Sequence, residues 1–256
     1  MKIISLGWGI QSFTLAAMVA LGELEQVDAA IHADTTHERS ATYEFAKRWT
    51  PWLEVHGVKV VIVNDAKQAQ TVTTFKTDIP AFTATLSANG GMLRRQCTQR
   101  WKIYPMRRWI GEELRRTNLT RRPGVVEQWI GISLDEAERM KQSDVAYIIH
   151  RWPLIEHRMT RNDCARWLER HDLPIPTKSS CVFCPFHSRS AWLDMKAKGG
   201  QDWKNAIAVD EMIRDARPPF SLFVHPDRIP LVGIKSQQDN GQLELWSEEC
   251  SGICGI

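Results

Sequence analysis

The chain has 256 residues, of which 43% are hydrophobic and 25% charged, with a formal net charge of +3. That length buries a sizeable core, as one large α/β domain or a domain with an appendage, and the composition is that of an ordinary globular protein. No apolar run approaches the roughly 20 residues of a membrane span. The N-terminus enters a strand without a leader pattern, so no membrane partner and a cytoplasmic location are expected.

Lys2 to Leu6 is a short apolar run that reads as a buried strand. Gly7 and Gly9 break it, and Ser12 with the apolar stretch Phe13 to Leu21 starts a helix. A strand, a glycine turn and a helix N-terminus make a place for phosphate, because glycines admit close backbone approach and first-turn N–H groups favour an anion. A plain βα turn without a ligand has the same pattern. Asp28 to Asp34 reads as a second strand, ending in Asp34, Thr35 and Thr36. Ala41 to His56 is helical with a break near Pro51, and Lys59 to Asn64 is a third strand. Strands spaced by helices predict βαβ units and a parallel sheet whose ligands bind at the strands' carboxyl ends.

Asp65 to Gly91 has no clean period and reads as a loop or lid. A helix is expected near Lys102 to Arg116, with Pro105 in its first turn, then a polar turn from Thr117 to Gly124 and a fourth strand from Val125 to Ile132. Ser133 is placed to cap a helix whose first turn holds Asp135 and Glu136. Ala146 to Ile155 contains another strand-like run. Thr160 caps a helix through Arg170 or His171, with Asp163 at its third position, and Leu173 to Lys178 is extended. Ser188 to Lys198 and Asp202 to Ala216 read as helices, Arg217 to Gly241 as irregular chain, and Gln242 to Trp246 as a last short strand.

Arg94, Arg95, Arg100, Arg107, Arg108, Arg115, Arg116, Arg121 and Arg122 crowd one stretch. The arginine fork suits phosphates, so this is either a polyanion-binding face or a solvated helix. Of 11 tryptophans, most are assigned to the core, and only Trp8 is placed for ligand stacking.

Six cysteines occur, at positions 97, 164, 181, 184, 250 and 254. Cys181-x-x-Cys184 is a chelating pair whose thiolates suit zinc or an iron–sulfur cluster. Cys97, Cys250 and Cys254 are the further candidate ligands. Cys164 follows the apolar rhythm of Ala165, Trp167 and Leu168 and is read as a core residue.

Six stretches in order resemble the phosphoadenosine phosphosulfate reductase-like branch of the PP-loop superfamily of adenine nucleotide α-hydrolases. Gly7-Trp8-Gly9-Ile10-Gln11-Ser12 is similar to the PP-loop SGGxDS, and Asp34-Thr35 to the acid and threonine ending the second strand. Cys97 to Pro105 resembles the cysteine segment that continues to Lys-Ile-x-Pro. Gly131 to Arg139 resembles Gly-φ-Arg-x-x-Glu-x-x-Arg. Trp152-Pro153-Leu154 with Met159 to Asp163 resembles PLxxWTxxDV, and Leu173-Pro174 leads to the CxxC. Trp8 departs from the pattern at a PP-loop glycine, Gln11 at its aspartate and Ser133 at an arginine.

The resemblance, over about residues 1 to 190, implies a doubly wound α/β fold with a mostly parallel sheet of about five strands. It divides the chain into a nucleotide-binding domain at 1–178 and a cysteine-rich C-terminal region at 179–256. It implies an adenine nucleotide, ATP or adenylyl sulfate, with Mg2+, at Gly7, Gly9, Gln11, Ser12, Asp34, Thr35, Gly131, Glu136 and Arg139. A [4Fe-4S] cluster would sit on Cys97, Cys181, Cys184 and either Cys250 or Cys254. One of those tail cysteines is alternatively the nucleophile, through a faint likeness to a Glu-Cys-Gly end. The implied activity is ATP-dependent, adenylating sulfur transfer to a nucleotide or nucleic acid. The alternatives are a sulfonucleotide reductase releasing sulfite and a non-catalytic, zinc-containing nucleic-acid-binding protein. Implied partners are a reductant or sulfur-donor protein and a second copy of the chain in a homodimer.

Overall fold

The computed structural model describes residues 1–64, 78–85 and 89–235. Five parallel strands form the main sheet: β1 (Lys2–Ser5), β2 (Ala29–Ala33), β3 (Val60–Val63), β6 (Val126–Ile130) and β7 (Ile148–Arg151). Their order is β3-β2-β1-β6-β7, so the chain winds outward from β1 to β3 and then returns to β1's other side. The α/β fold and five-stranded parallel sheet read from the sequence are those observed, with strand ends within a few residues.

The period-two side-chain alternation sorts the sheet into two faces. Ile4, Ala30 and Trp129 pack under α1 (Ile10–Ala20), α2 (Ser40–Val55) and α5 (Arg161–Arg170). Ile3, Ile31, Val126 and Ile148 face the other way, onto Met106, Ile110 and Leu114 of α3 (Tyr104–Arg116). Helices therefore cover both faces, the doubly wound arrangement. After the short helix α4 (Pro153–Glu156), Thr160 caps α5 as expected, in a capping box with Asp163.

A second, antiparallel sheet was not foreseen. It joins β4 (Phe82–Ala84) and β5 (Asn89–Met92) to β8 (Ser221–Phe223), in the order β5-β4-β8. Two of these strands fall in the stretch read as a lid and one in the stretch read as irregular. Residues 65–77 and 86–88 of the first stretch, and 236–241 of the second, lie outside the described residues. The sheet packs with α6 (Arg189–Lys198) and α7 (Gln201–Ile213) around Trp101, Phe183, Trp192 and Trp203. Asp210 of α7 is buried there and accepts hydrogen bonds from the Val224 and Leu231 amides, at 3.1 Å each.

Other local expectations change. The first helix begins at Ile10, with Gly9 as its N-cap. Helix α2 runs through Pro51 without ending, because Pro51 is exposed and the carbonyl it fails to bond can be hydrated. A π-helical turn, Thr98–Ile103, precedes α3. Ser133 opens only a short 3-10 turn, Leu134–Arg139, and its hydroxyl caps nothing. The tail strand Gln242 to Trp246 lies outside the described residues.

Candidate active site

The loop from Gly7 to Ser12 sits at the carboxyl end of β1, where the strand order reverses between β1 and β6. Such a switch point opens a crevice, because neighbouring crossovers leave in opposite directions. The Ser12 hydroxyl closes the loop on itself: it accepts from the Gly7 amide (3.1 Å) and donates to the Gly9 carbonyl (3.2 Å). The amides of Ile10, Gln11 and Ser12 belong to the first turn of α1 and have no acceptor within the helix. Gly131, just past β6, lies against this turn, and a Cβ there would stand 2.8 Å from the Ser12 nitrogen. Ser179 covers the other side, its Oγ 3.4 Å from where a Gly9 Cβ would be.

Trp8 has φ = 57°, a left-handed conformation that glycine adopts freely and a bulky residue rarely does. Its ring is only 2% exposed and packs among Phe13, His32 and Phe45. The expectation that it stacks on a ligand is therefore wrong: the indole anchors the loop from inside the core. Its Nε1 has no partner among the described residues.

Gln11 is buried and held on three sides. Its amide nitrogen donates to Glu136 (3.0 Å) and Ser133 (3.4 Å), and its oxygen accepts from Arg161 (3.3 Å). Arg139 pairs with Glu136 at 2.5 Å. Gln11, Glu136 and Arg139, assigned separately to the nucleotide, are thus one network at the helix N-terminus. Arg161 and Ser133 complete it. Arg161 carried no role in the sequence because nothing local marks a first-turn arginine as reaching another helix.

Asp34 and Thr35 end β2 at the same edge of the sheet. Asp34 accepts from the Thr36 amide (2.7 Å) and the Tyr43 hydroxyl (2.8 Å). Burial and this carboxylate push the Tyr43 phenol far above its usual range. The Thr35 hydroxyl lies 3.3 Å from the Cys181 sulfur and 3.4 Å from Glu38.

The CxxC reaches this edge by strand-like pairing. Val182 donates to the His37 carbonyl (2.8 Å), Arg39 to the Ser180 carbonyl (3.1 Å), and Glu38 bridges Cys181. The Cys184 amide closes the turn onto the Cys181 carbonyl (3.1 Å). Cys97 and Cys181 pack against the same apolar cluster. Burial pushes the Cys181 thiol well above its ordinary range, with Glu38 adding to the effect and Cys97 contributing less. Glu38 is a functional candidate with no signal in the sequence. Its side chain is 2% exposed, Lys102 stands 3.5 Å from one oxygen, and the other oxygen has no partner among the described residues. Cys164 instead sits on the buried face of α5, in the core cluster that includes α1.

Cys97 and Cys181 thus share one apolar wall, and Cys184 is joined to it through the turn on Cys181. Among the described residues no group of three or more His, Cys, Asp or Glu side chains is placed to hold a metal ion. Cys250 and Cys254 lie outside the described residues, so the nucleophile and fourth-ligand roles assigned to them have no structural counterpart here. No helix among the described residues is long and apolar enough to cross a membrane.

No family model and no curated protein sequence matches the chain. Solved structures do. One is a phosphoadenylyl-sulfate reductase from Candida auris in a phosphate complex, 12% identical, covering 68% of this chain and 74% of that one, with a TM-score of 0.46. Another is the U34-tRNA thiolase NcsA from Methanococcus maripaludis with its [4Fe-4S] cluster, 13% identical, covering 82% of this chain and 70% of that one, with a TM-score of 0.37.

Proposed function

We propose that this chain is a PP-loop enzyme that binds ATP at the Gly7–Ser12 loop and adenylates an acceptor for sulfur transfer. The observation that carries this reading is the seat at the switch point. A loop closed by Ser12, pressed against Gly131 and fronted by three helix N-terminal amides, is built for phosphate. The α1 dipole favours the anion, and Arg139 and Arg161 bring positive charge to the same turn. In the proposed reaction an acceptor oxygen attacks the α-phosphorus, and pyrophosphate leaves with the electrons of the broken P–O bond. A sulfur nucleophile then displaces AMP from the adenylated acceptor. Backbone donors and the two guanidiniums stabilise the charge that develops on phosphate.

The cysteine chemistry suits a thiolate-held iron–sulfur cluster. In a cluster each iron takes its own thiolate, so the sulfurs need not meet at one point. Cys97, Cys181, Cys184 and one tail cysteine would hold it. When bound, it would supply an iron at which sulfur is carried. Thr35 and Glu38 pack beside Cys181 and set its surroundings.

Protein purified without oxygen tests this through iron, sulfide and zinc content, an absorption spectrum, and product analysis with MgATP. Iron and sulfide in near-equal amounts, with pyrophosphate released in the presence of acceptor, are expected. Sulfite released from adenylyl sulfate, with a tail cysteine as nucleophile, assigns the reductase instead. A colourless chain with one zinc and no nucleotide affinity leaves the non-catalytic binding protein.

A further inference from the structure

Six of the nine crowded arginines are sorted by the fold into two sets of three. Arg100 pairs with Asp78, Arg107 with Asp144 and Arg116 with Glu113. Arg115, Arg121 and Arg122 are exposed and have no carboxylate partner among the described residues. Two of these three are brought together. Both guanidiniums reach over Gly111 in the middle of α3, where a Cβ would stand 2.3 Å from an Arg121 nitrogen and 3.9 Å from an Arg115 nitrogen. Arg121 is held there against the Tyr147 ring, 5.2 Å from its centroid. Like charges gathered over a glycine, with no described anion between them, form a seat for an external anion.

The seat lies on a track. Residues 104, 111 and 115 share one face of α3, so Tyr104 and the Gly111 seat with Arg115 follow one another along it. The helix is about 20 Å long by its residue count. Its first residue, Tyr104, is 45% exposed and follows directly on the cysteine-bearing turn. An exposed aromatic ring at the site end suits an unpaired base, and guanidiniums beyond it suit successive phosphates.

We infer that the outer face of α3, with Arg115 and Arg121, docks the phosphate backbone of a single-stranded nucleic acid and leads it to the carboxyl edge of the sheet. This deepens the reading above by naming the acceptor class. The docking itself does not depend on ATP chemistry.

The test is fluorescence anisotropy of a labelled single-stranded RNA 15-mer across a salt series, with ATP affinity and metal content followed on the same preparations. The wild type is expected to bind with a steep salt dependence. The R115A/R121A double variant should lose two phosphate contacts, lowering the slope of log K against log salt by about 1.4. Its affinity should fall roughly tenfold or more, with ATP affinity unchanged. A second variant guards against misfolding. Gly111→Ala adds a helix former and pushes Arg121 off its seat, so its Tm should rise while RNA affinity falls. Equal slopes and affinities in wild type and double variant overturn the inference, as does a wild type that binds anionic lipid vesicles but not RNA. RNA binding that persists in a chain without ATP affinity upholds the docking face and removes only the adenylation reading.

Discussion

Gly131 and Ser12 touch backbone to backbone: a Cβ on Gly131 would stand 2.8 Å from the Ser12 nitrogen and 2.9 Å from its Cα. No flexible side-chain end can give way there, so Gly131→Ala must move β6's exit or the first turn of α1. Such overpacking costs about 1–3 kcal/mol. The expected outcome is a lower Tm and at least a tenfold loss of ATP affinity, checked by thermal unfolding and titration calorimetry.

The Ser12 hydroxyl ties Gly7 to Gly9 from inside the loop. Ser12→Leu fills the seat and removes both bonds. Nucleotide binding should disappear while iron and sulfide content stay at wild-type levels, since Ser12 is not on the cysteine wall. Unchanged nucleotide affinity would contradict the phosphate-loop assignment.

Cys164 is fully buried, and burial pushes its thiol up to about 12. It should be inert to thiol reagents in the folded chain. Cys164→Ala loses packing worth roughly 1 kcal/mol and should leave metal content as it is. Loss of iron in this variant would mean that the cysteines are sorted wrongly.

His32 lies in β2 with its Nδ1 3.0 Å from the Leu6 carbonyl, and burial lowers its pKa below the usual 6.5. The unfolded chain takes up this proton near its ordinary pKa, and the folded chain only at lower pH. The stabilisation is therefore fully present above about pH 6.5 and is lost as pH falls below it. Urea unfolding at a series of pH values should give stability that drops on acidification. His32→Asn should flatten the curve in part, since His150, His187 and His225 are shifted in the same direction.

The main sheet was legible because its strands are short apolar runs bounded by glycines, acids and helix-length spacers, a pattern that survives without tertiary information. The small sheet was not. Its strands are three or four residues long, one is Asn89-Gly90-Gly91-Met92, and such segments become strands only through partners far along the chain. The site divides the same way. Gly7, Gly9, Ser12 and the CxxC announce themselves by spacing. Glu38, Ser179 and Arg161 come to the crevice through pairing and helix packing, which leave no periodic trace. Trp8 was misread because an aromatic side chain beside two glycines looks displayed, whereas its left-handed backbone turns the ring inward.

The pairing of Phe82 with Phe223 has a consequence for synthesis. The parallel sheet has all its strands once residue 151 has emerged from the ribosome, but β4 waits for β8 until residue 223. At ordinary translation speeds that interval is roughly 4 to 14 seconds. During it the Gly7–Ser12 loop already follows β1 between its sheet neighbours, while Arg228, which later bonds the carbonyls of Thr83 and Gly90, has yet to be made. The molecule is therefore assembled in two stages, parallel sheet first, and the nascent chain passes through a form in which β4 has no β8 to pair with.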